Sequence, residues 1–383
     1  MAQLEIRPVR TRREKKLFLH FPWTLYRDDP NWIPPLRTNQ KELVGFKPHP
    51  FYNRAEGQAF IALRNGQVQG RVLGLVNHGH NERYHELRGF FGFFESVDDQ
   101  DVANGLFDAV REWLAERNIT KLRGPTNPSL NYECGLLIEG FDSPPSFMMT
   151  YNPPYYAQLL ENYGFRKVQD LFAYQAHRDM LATVDPKLQF IIEEATRRFD
   201  IKLRSLDKSR FLDDVRMFLD IYNKSLPGTW GFVPLSDAEV EHMARGLKHL
   251  IVPELTCVAE VEGRPVGAVF CLLDYNPRIK KIDGRLFPTG FIRLLWNRKK
   301  IPKARVLSTN VTPEFQRWGL GLVLNAYMVP QALEWGMQEG ELSWVLESNH
   351  LSRKTIERGG ARRIKTYRIY DYGPAEESNN APT

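Results

Sequence analysis

R-V-L-S-T-N-V-T-P-E-F-Q-R-W-G-L-G-L, residues Arg305 to Leu322, is the stretch whose reading decides the fold. Val306 to Val311 is a short apolar run that reads as a strand. Thr312 and Pro313 mark a turn, and a basic, glycine-containing corner follows (Gln316, Arg317, Trp318, Gly319, Leu320, Gly321). Beyond it, Leu322, Leu324, Tyr327 and Met328 fall at helical spacing. A strand that turns through glycines into a helix leaves unpaired N–H groups at the positive end of the helix dipole, a ready phosphate site. No Gly-Lys-Ser/Thr ends the corner and the G-x-G-x-x-G spacing is absent, so it is neither a Walker loop nor a dinucleotide fingerprint.

Working outward, the chain repeats itself. Leu4–Val9 resembles Ile201–Leu206, and the hairpin Phe60–Gly70 resembles Cys257–Gly267, with Gly70 and Gly267 separated by 197 residues. Tyr26 and Tyr222 lie 196 apart, each followed by Trp and Pro: Trp32, Pro34 and Pro35 first, Trp230 and Pro234 second. Tyr163–Val168 resembles Gly359–Ile364 at an offset of 196. Order and offset are kept throughout, so the chain reads as two copies of one fold with a boundary near Met180–Asp200. Within each copy the order is strand, helical pair, hairpin, long strand, helix, strand, helix, strand. Asn65-Gly66 and Glu262-Gly263 are the hairpin turns. Val102–Arg117 and Leu322–Met337 are strongly periodic helices. Mixed α/β sheets with crossover helices follow.

Composition sets the frame. The 383 residues are 42% hydrophobic and 26% charged, as in an ordinary globular protein. Net charge is +6 and the pI about 9.1, which permits an anionic ligand or surface without demanding one. Cys134, Cys257 and Cys271 form no disulfide framework or zinc pattern, which favours a reducing compartment. The start has no apolar signal core and no run approaches a membrane span. A cytoplasmic protein with inner-membrane association is the expectation, with no nucleic acid and no metal. The His78, His80, His85 group lacks supporting ligands.

The corner resembles the acyl-CoA pyrophosphate loop of the GNAT acyltransferases, Gln/Arg-x-x-Gly-x-Gly/Ala, met here by Gln316, Gly319 and Gly321. The element order is similar to the GNAT fold, twice. The whole chain also resembles a bacterial family of two-lobed GNAT-like proteins. Its marks are F-F-G-F-F-E at Phe90–Glu95, G-P-T-N-P-S at Gly124–Ser129 and Y-N-P-P-Y-Y at Tyr151–Tyr156. That family includes ceramide-synthase-like members. The implied fold class is α/β, a tandem duplicated GNAT-like acyl-CoA N-acyltransferase fold with mixed central sheets flanked by helices. The implied division is a degenerate N-terminal domain (1–180), a linker (181–200), a C-terminal acyl-CoA-binding domain (201–373) and a disordered tail (374–383).

The resemblance implies acetyl-CoA or a longer acyl-CoA as co-substrate, held in the second copy by Val311, Gln316, Arg317, Trp318, Gly319, Leu320, Gly321, Leu322 and Asn349. In the first copy Asp98, Asp99 and Asp101 stand where phosphate would sit, and they suit a helix cap. A carbonyl-polarising N–H is expected near Asn310, and Glu314 or Glu347 is the candidate base. Ile356 replaces the tyrosine that many GNAT enzymes use as acid. Tyr222, Asn223, Trp230 and Phe232 are expected to line the acceptor end. The second copy alone inserts a segment at 285–305 that mixes Phe287, Phe291, Ile292, Leu294, Leu295 and Trp296 with five cations between Arg293 and Lys303. Such a segment suits a membrane interface or a lipid amine. The functions in view are N-acyl transfer to an amine, long-chain acyl transfer to a sphingoid amine at a membrane surface, and a non-catalytic CoA-binding scaffold. Tandem GNAT aminoacyl transferases that use charged tRNA compete, but would not need the glycine loop.

Overall fold

The computed structural model describes residues 3–182 and 185–374. All but Pro374 of the expected tail lies outside the described residues. The first half runs β1 (Leu4–Pro8), α1 (Arg12–Leu25), α2 (Arg37–Leu43), β2 (Ala55–Arg64), β3 (Gln67–Asn77), α3 (His78–Tyr84), β4 (Arg88–Ser96) and α4 (Gln100–Ala115). It continues through β5 (Lys121–Gly124), β6 (Thr126–Asn127), β7 (Glu133–Cys134), β8 (Leu136–Glu139), α5 (Tyr156–Tyr163) and β9 (Arg166–His177). Then α6 (Pro186–Phe199) leads into β10 (Lys202–Arg204), α7 (Phe211–Ser225), α8 (Asp237–Leu247), β11 (Ile251–Val261) and β12 (Arg264–Leu273). Next, α9 (Asn276–Lys281) and, within the inserted segment, α10 (Gly290–Leu295) precede β13 (Lys303–Val311), α11 (Leu320–Trp335), β14 (Glu339–Leu346), α12 (His350–Arg358) and β15 (Arg362–Tyr372).

Local chemistry explains the repeated parts. Asn65 and Gly66 have φ of 52° and 74°, and Glu262 and Gly263 have 51° and 73°. Those left-handed pairs match the twist of a two-residue hairpin turn. Helix α4 starts where Asp99 Oδ1 accepts from the N–H groups of Asp101 and Val102. It buries Val102, Leu106, Phe107 and Val110 against the sheet. Its twin α11 has no side-chain cap and begins from Gly319 in the left-handed region.

The two copies share one sheet, ordered β1-β2-β3-β4-β5-β15-β9-β14-β13-β12-β11-β10. The equivalent final strands β9 and β15 are exchanged between copies: β15 pairs antiparallel with β5, and β9 pairs antiparallel with β14. They also pair with each other along most of their lengths. The exchange makes the middle of the sheet common property of the two lobes.

Each lobe carries a fork. Parallel pairing of β4 with β5 covers Arg88 to Phe90, and that of β13 with β14 covers Lys303 to Val306. Beyond those residues the strands separate. Each long strand has a bulge close to its fork, opposite Arg71–Leu73 in β4 and opposite Phe270–Cys271 in β13.

Candidate active site

At the second-lobe corner, Gly319 adopts φ 78°. A β-carbon there would lie 2.3 Å from Ile191 Cγ2 of α6, so only glycine fits. Gly321 is different: a β-carbon would meet only Thr309 Cγ2, at 3.6 Å. Open space beside backbone at the start of a sixteen-residue helix is what a phosphate needs. The Gln316 side chain holds the corner in shape, donating to the carbonyls of Ser225 and Val311 at 2.8 and 2.9 Å. Arg317 is exposed, and the exposed Trp318 stacks under Arg198 of α6 with 3.8 Å between guanidinium and ring. Asn349 caps α12 by accepting from the Ser352 N–H at 3.1 Å.

Of the two carboxylates expected beside this loop, one is engaged and the other stands in solvent. Glu347 accepts from Lys167 Nζ at 2.9 Å, and Glu314 is exposed on the turn after β13. Asn310 is buried, with Ser225 Oγ donating to its Oδ1 at 3.1 Å and its Nδ2 donating to Ser308 Oγ at 2.6 Å. Ile356 packs beside Phe172 and Tyr174.

The helix pair singled out in the second copy packs onto the first. Tyr222 Oη donates to Asn131 Oδ1 at 3.0 Å, and the Arg123 guanidinium lies 4.8 Å from the Trp230 ring centroid. Phe232 is buried against Tyr222, and Asn223 is spent on the backbone of Leu235.

The large cavity lies elsewhere. It has a volume of about 660 Å³ and is bounded by both lobes. Its apolar walls come from Ile33, Leu36, Phe93, Phe94, Leu136, Met148 and Met149 of the first lobe, and from Leu247, Leu250, Ile279 and Leu286 of the second. Its first-lobe helix-pair residues, Trp32, Pro34 and Pro35, are the repeat equivalents of Trp230 and Pro234. The three first-copy marks all contribute: Glu95, Asn127 and Tyr151 are among the lining residues.

Polar side chains in the lining include Glu95, Glu133, His49 and His242. Glu95 accepts from Tyr26 Oη and Tyr156 Oη at 2.6 and 2.8 Å, with Arg71 at 3.4 Å. Burial pushes its carboxyl up, against the pull of Arg71. Strand pairing puts Glu95 opposite Arg71 and Asn310 opposite Ala268, one residue beyond the repeat-equivalent glycines. Glu95 therefore occupies in the first lobe the place of Asn310 in the second. The first copy thus carries a strand glutamate where the second, beside the glycine loop, carries Asn310. Glu133 keeps surface that faces this cavity, and burial pushes its carboxyl up to about 7 while Arg305 opposes. His49 meets His242 of α8 at 4.6 Å between ring centroids, and burial pushes His49 down to about 4.

A buried lattice ties the cavity wall to β13. Arg305 Nη1 donates to the carbonyls of Phe147 and Met148, both at 2.9 Å, and its Nε to Ser343 Oγ at 2.8 Å. Ser343 Oγ passes on to Glu341 at 2.7 Å, and Glu341 also accepts from Ser146 Oγ of the first lobe. The first residue of the deciding stretch is thus the strut between lobes.

No family model matches the chain. It is 34% identical over 373 residues to "Protein YghO" of Escherichia coli (strain K12), covering 96% of this chain and 94% of that protein. It is 36% identical over 383 residues to "Bacterial ceramide synthase" of Caulobacter vibrioides (strain NA1000 / CB15N), covering 97% of each. A tandem GNAT protein from the clavulanic acid biosynthesis pathway superposes with a TM-score of 0.56 at 13% identity, covering 98% of this chain and 100% of that one. A GCN5-related N-acetyltransferase from Sphaerobacter thermophilus gives 0.52 at 13% identity, over 97% and 95% of the two chains. At those identities the two structures speak for the fold alone, a tandem GNAT architecture.

Proposed function

Since the chain belongs to the two-lobed GNAT family of protein YghO and bacterial ceramide synthase, we propose that it moves a long-chain acyl group from acyl-CoA to the amine of a lipid-like acceptor. The observation that carries the reading is the cavity. Its 660 Å³ lies within the roughly 300–1,000 Å³ of sites for sizeable ligands, and its walls are chiefly aliphatic and aromatic. An acetyl group would leave most of it empty, whereas a hydrocarbon chain gains about 0.8 kcal/mol per methylene buried.

In this reading the corner Gln316–Leu322 takes the pyrophosphate. The backbone at Gly321 and the start of α11 supply N–H groups, and Arg317 supplies charge. The pantetheine arm follows β13 towards Arg305, six residues from Val311 or about 20 Å of strand. That path ends at the wall formed by Phe147 and Met148. Domains 1–180 and 201–373 then divide the work, the second holding the nucleotide end and the first enclosing the chain.

The insertion supports a membrane surface as the meeting place. Leu294 packs inward, while Phe287, Ile292 and Trp296 are 80%, 60% and 74% exposed. Arg285, Arg293, Lys299 and Lys300 accompany them, and Leu286 between them lines the cavity. Exposed aromatics among cations fit an anionic bilayer, from which an amphipathic amine can enter beside Leu286. No described helix is long and apolar enough to cross a membrane.

The test is release of free CoA thiol with acetyl- and palmitoyl-CoA, with a long-chain primary amine as acceptor. Amine-dependent release from palmitoyl-CoA at least tenfold faster than from acetyl-CoA supports the reading. Release from neither with saturable CoA binding would leave a non-catalytic CoA-binding scaffold, and no binding of either would remove the acyl-CoA reading.

A further inference from the structure

Deprotonating an acceptor ammonium needs a carboxylate or imidazole that faces the reaction space, is not tied to another cation, and titrates near neutrality. The four carboxylates around the two forks differ in these respects. Glu347 is paired with Lys167 and Glu314 stands in solvent. Glu95 is occupied by two tyrosine hydroxyls and Arg71. Of these four, Glu133 lines the cavity without a described side chain hydrogen-bonded to its carboxyl; Glu42, also in the lining but on α2 away from the forks, faces His242 at 3.8 Å.

The fold places Glu133 with purpose. The ribbon β6–β7 enters where β4 leaves β5, with Asn127 directly opposite Glu133. Asn127 Oδ1 accepts from the Phe93 N–H at 2.7 Å, which moors the ribbon to the bulged strand of the fork. The following loop is held from the second lobe, because Tyr222 donates to Asn131 and Tyr132 Oη donates to Glu239 of α8 at 3.0 Å. Glu133 is therefore fixed between the first-lobe fork, the cavity and β13.

We propose that Glu133, contributed by the first lobe, is the general base that takes the proton from the acceptor ammonium. The proposal rests on the acyltransferase reading above. Its carboxylate accepts one proton from R–NH3+, freeing the nitrogen lone pair. The nitrogen attacks the thioester carbonyl, a C–N bond forms, and the C–S bond breaks. The nitrogen's second proton goes to the departing thiolate, giving the CoA thiol and the amide, and Glu133 returns its proton to solvent. The charged and titratable groups facing it are Arg305 of β13, which favours its ionised form, and the buried Cys134. A carboxyl pushed up to about 7 by burial is divided between base and acid at neutral pH, which suits a proton acceptor.

The experiment compares wild type, Glu133→Gln, Glu133→Asp and Glu95→Gln for palmitoyl transfer to a long-chain amine between pH 5.5 and 9. Wild-type kcat/KM should fall below about pH 7. Glu133→Gln should lose about 100-fold or more in kcat and lose that acidic limb, with the KM for palmitoyl-CoA within about threefold. Glu133→Asp, which keeps the carboxylate but shortens its reach, should retain the limb at a rate about tenfold lower. If Glu133→Gln fails to fold, Glu133→Asp decides: a wild-type rate overturns the assignment. Unchanged activity in Glu133→Gln, or a limb that disappears only in Glu95→Gln, also overturns it and leaves acyl transfer standing. A wild type that acylates no amine removes the acyltransferase reading and this assignment together.

Discussion

Arg305 of the second lobe donates through Nη1 to the main-chain carbonyl of Met148 in the first, at 2.9 Å. That bond joins the strand leading from the glycine corner to the wall of the apolar cavity, inside a region where Arg305 is only 4% exposed. Burial pulls the guanidinium down and Glu341 holds it up. Removing it leaves Ser343 and the carbonyls of Phe147 and Met148 without their donor in low dielectric, while Glu341 keeps Lys303 at 3.3 Å. Arg305→Met is expected to cost about 3–5 kcal/mol of stability, read as a shift in the urea midpoint. A change below 1 kcal/mol would contradict the strut.

The two corner glycines are expected to behave differently. Gly319→Ala puts a β-carbon on Ile191 in a left-handed residue and should cost at least about 1–2 kcal/mol. Gly321→Glu has room, so it should leave the unfolding temperature within a few degrees while reducing CoA affinity tenfold or more by like-charge repulsion. Calorimetric titration with CoA separates the two. Unaltered CoA binding in Gly321→Glu would remove the corner from the site.

Glu133 also makes a stability prediction. Its folded carboxyl is raised from 4.5 to about 7, so the folded state binds a proton that the unfolded state has lost. Stability tied to that proton is present below the ordinary carboxylate range and is lost as pH rises through about 7. Glu133→Gln carries no such loss. Its stability relative to wild type should therefore increase from pH 4 to pH 8, by at most about 3 kcal/mol at 1.4 kcal/mol per unit. Denaturant titrations at both pH values check this, and a difference independent of pH would show an unshifted carboxyl.

The exposed aromatics of the insertion predict a membrane phenotype without a folding phenotype. Phe287→Ser with Trp296→Ser should leave thermal stability nearly unchanged, since both side chains are mostly in solvent. Sedimentation with phosphatidylglycerol vesicles should fall about tenfold or more, and wild-type binding should weaken with salt. Equal binding by wild type and variant would place the interface elsewhere.

Much of the fold was legible in the sequence because it was written twice. The left-handed Asn65-Gly66 and Glu262-Gly263 turns, the α4 periodicity and the 197-residue offset report local physics, and the structure repeats them. Helix α11 forms as a helix but is apolar on all sides rather than strongly periodic. The exchange of β9 and β15 was not legible, since a strand's pattern tells which face is buried but not which neighbour it pairs with. The corner 313–322 announced itself through its glycines. The cavity did not, because it is assembled from segments as distant as Ile33, Glu133 and Leu286. Glu133 left one trace, a lone carboxylate between Tyr132 and Cys134 before the apolar run Leu136–Ile138. Its desolvation depends on both lobes closing around it, which no local pattern encodes.

The most direct test of the account is the acyl-chain-length profile of amine acylation in wild type and in two cavity-narrowing variants, Ile33→Trp and Leu286→Trp. If the inter-lobe cavity holds the chain, each variant should lose at least about tenfold in kcat/KM for palmitoyl-CoA and keep its rate with acyl-CoAs of a few carbons, shifting the optimum to shorter chains. A profile unchanged in both folded variants would contradict the claim that this cavity receives the acyl group.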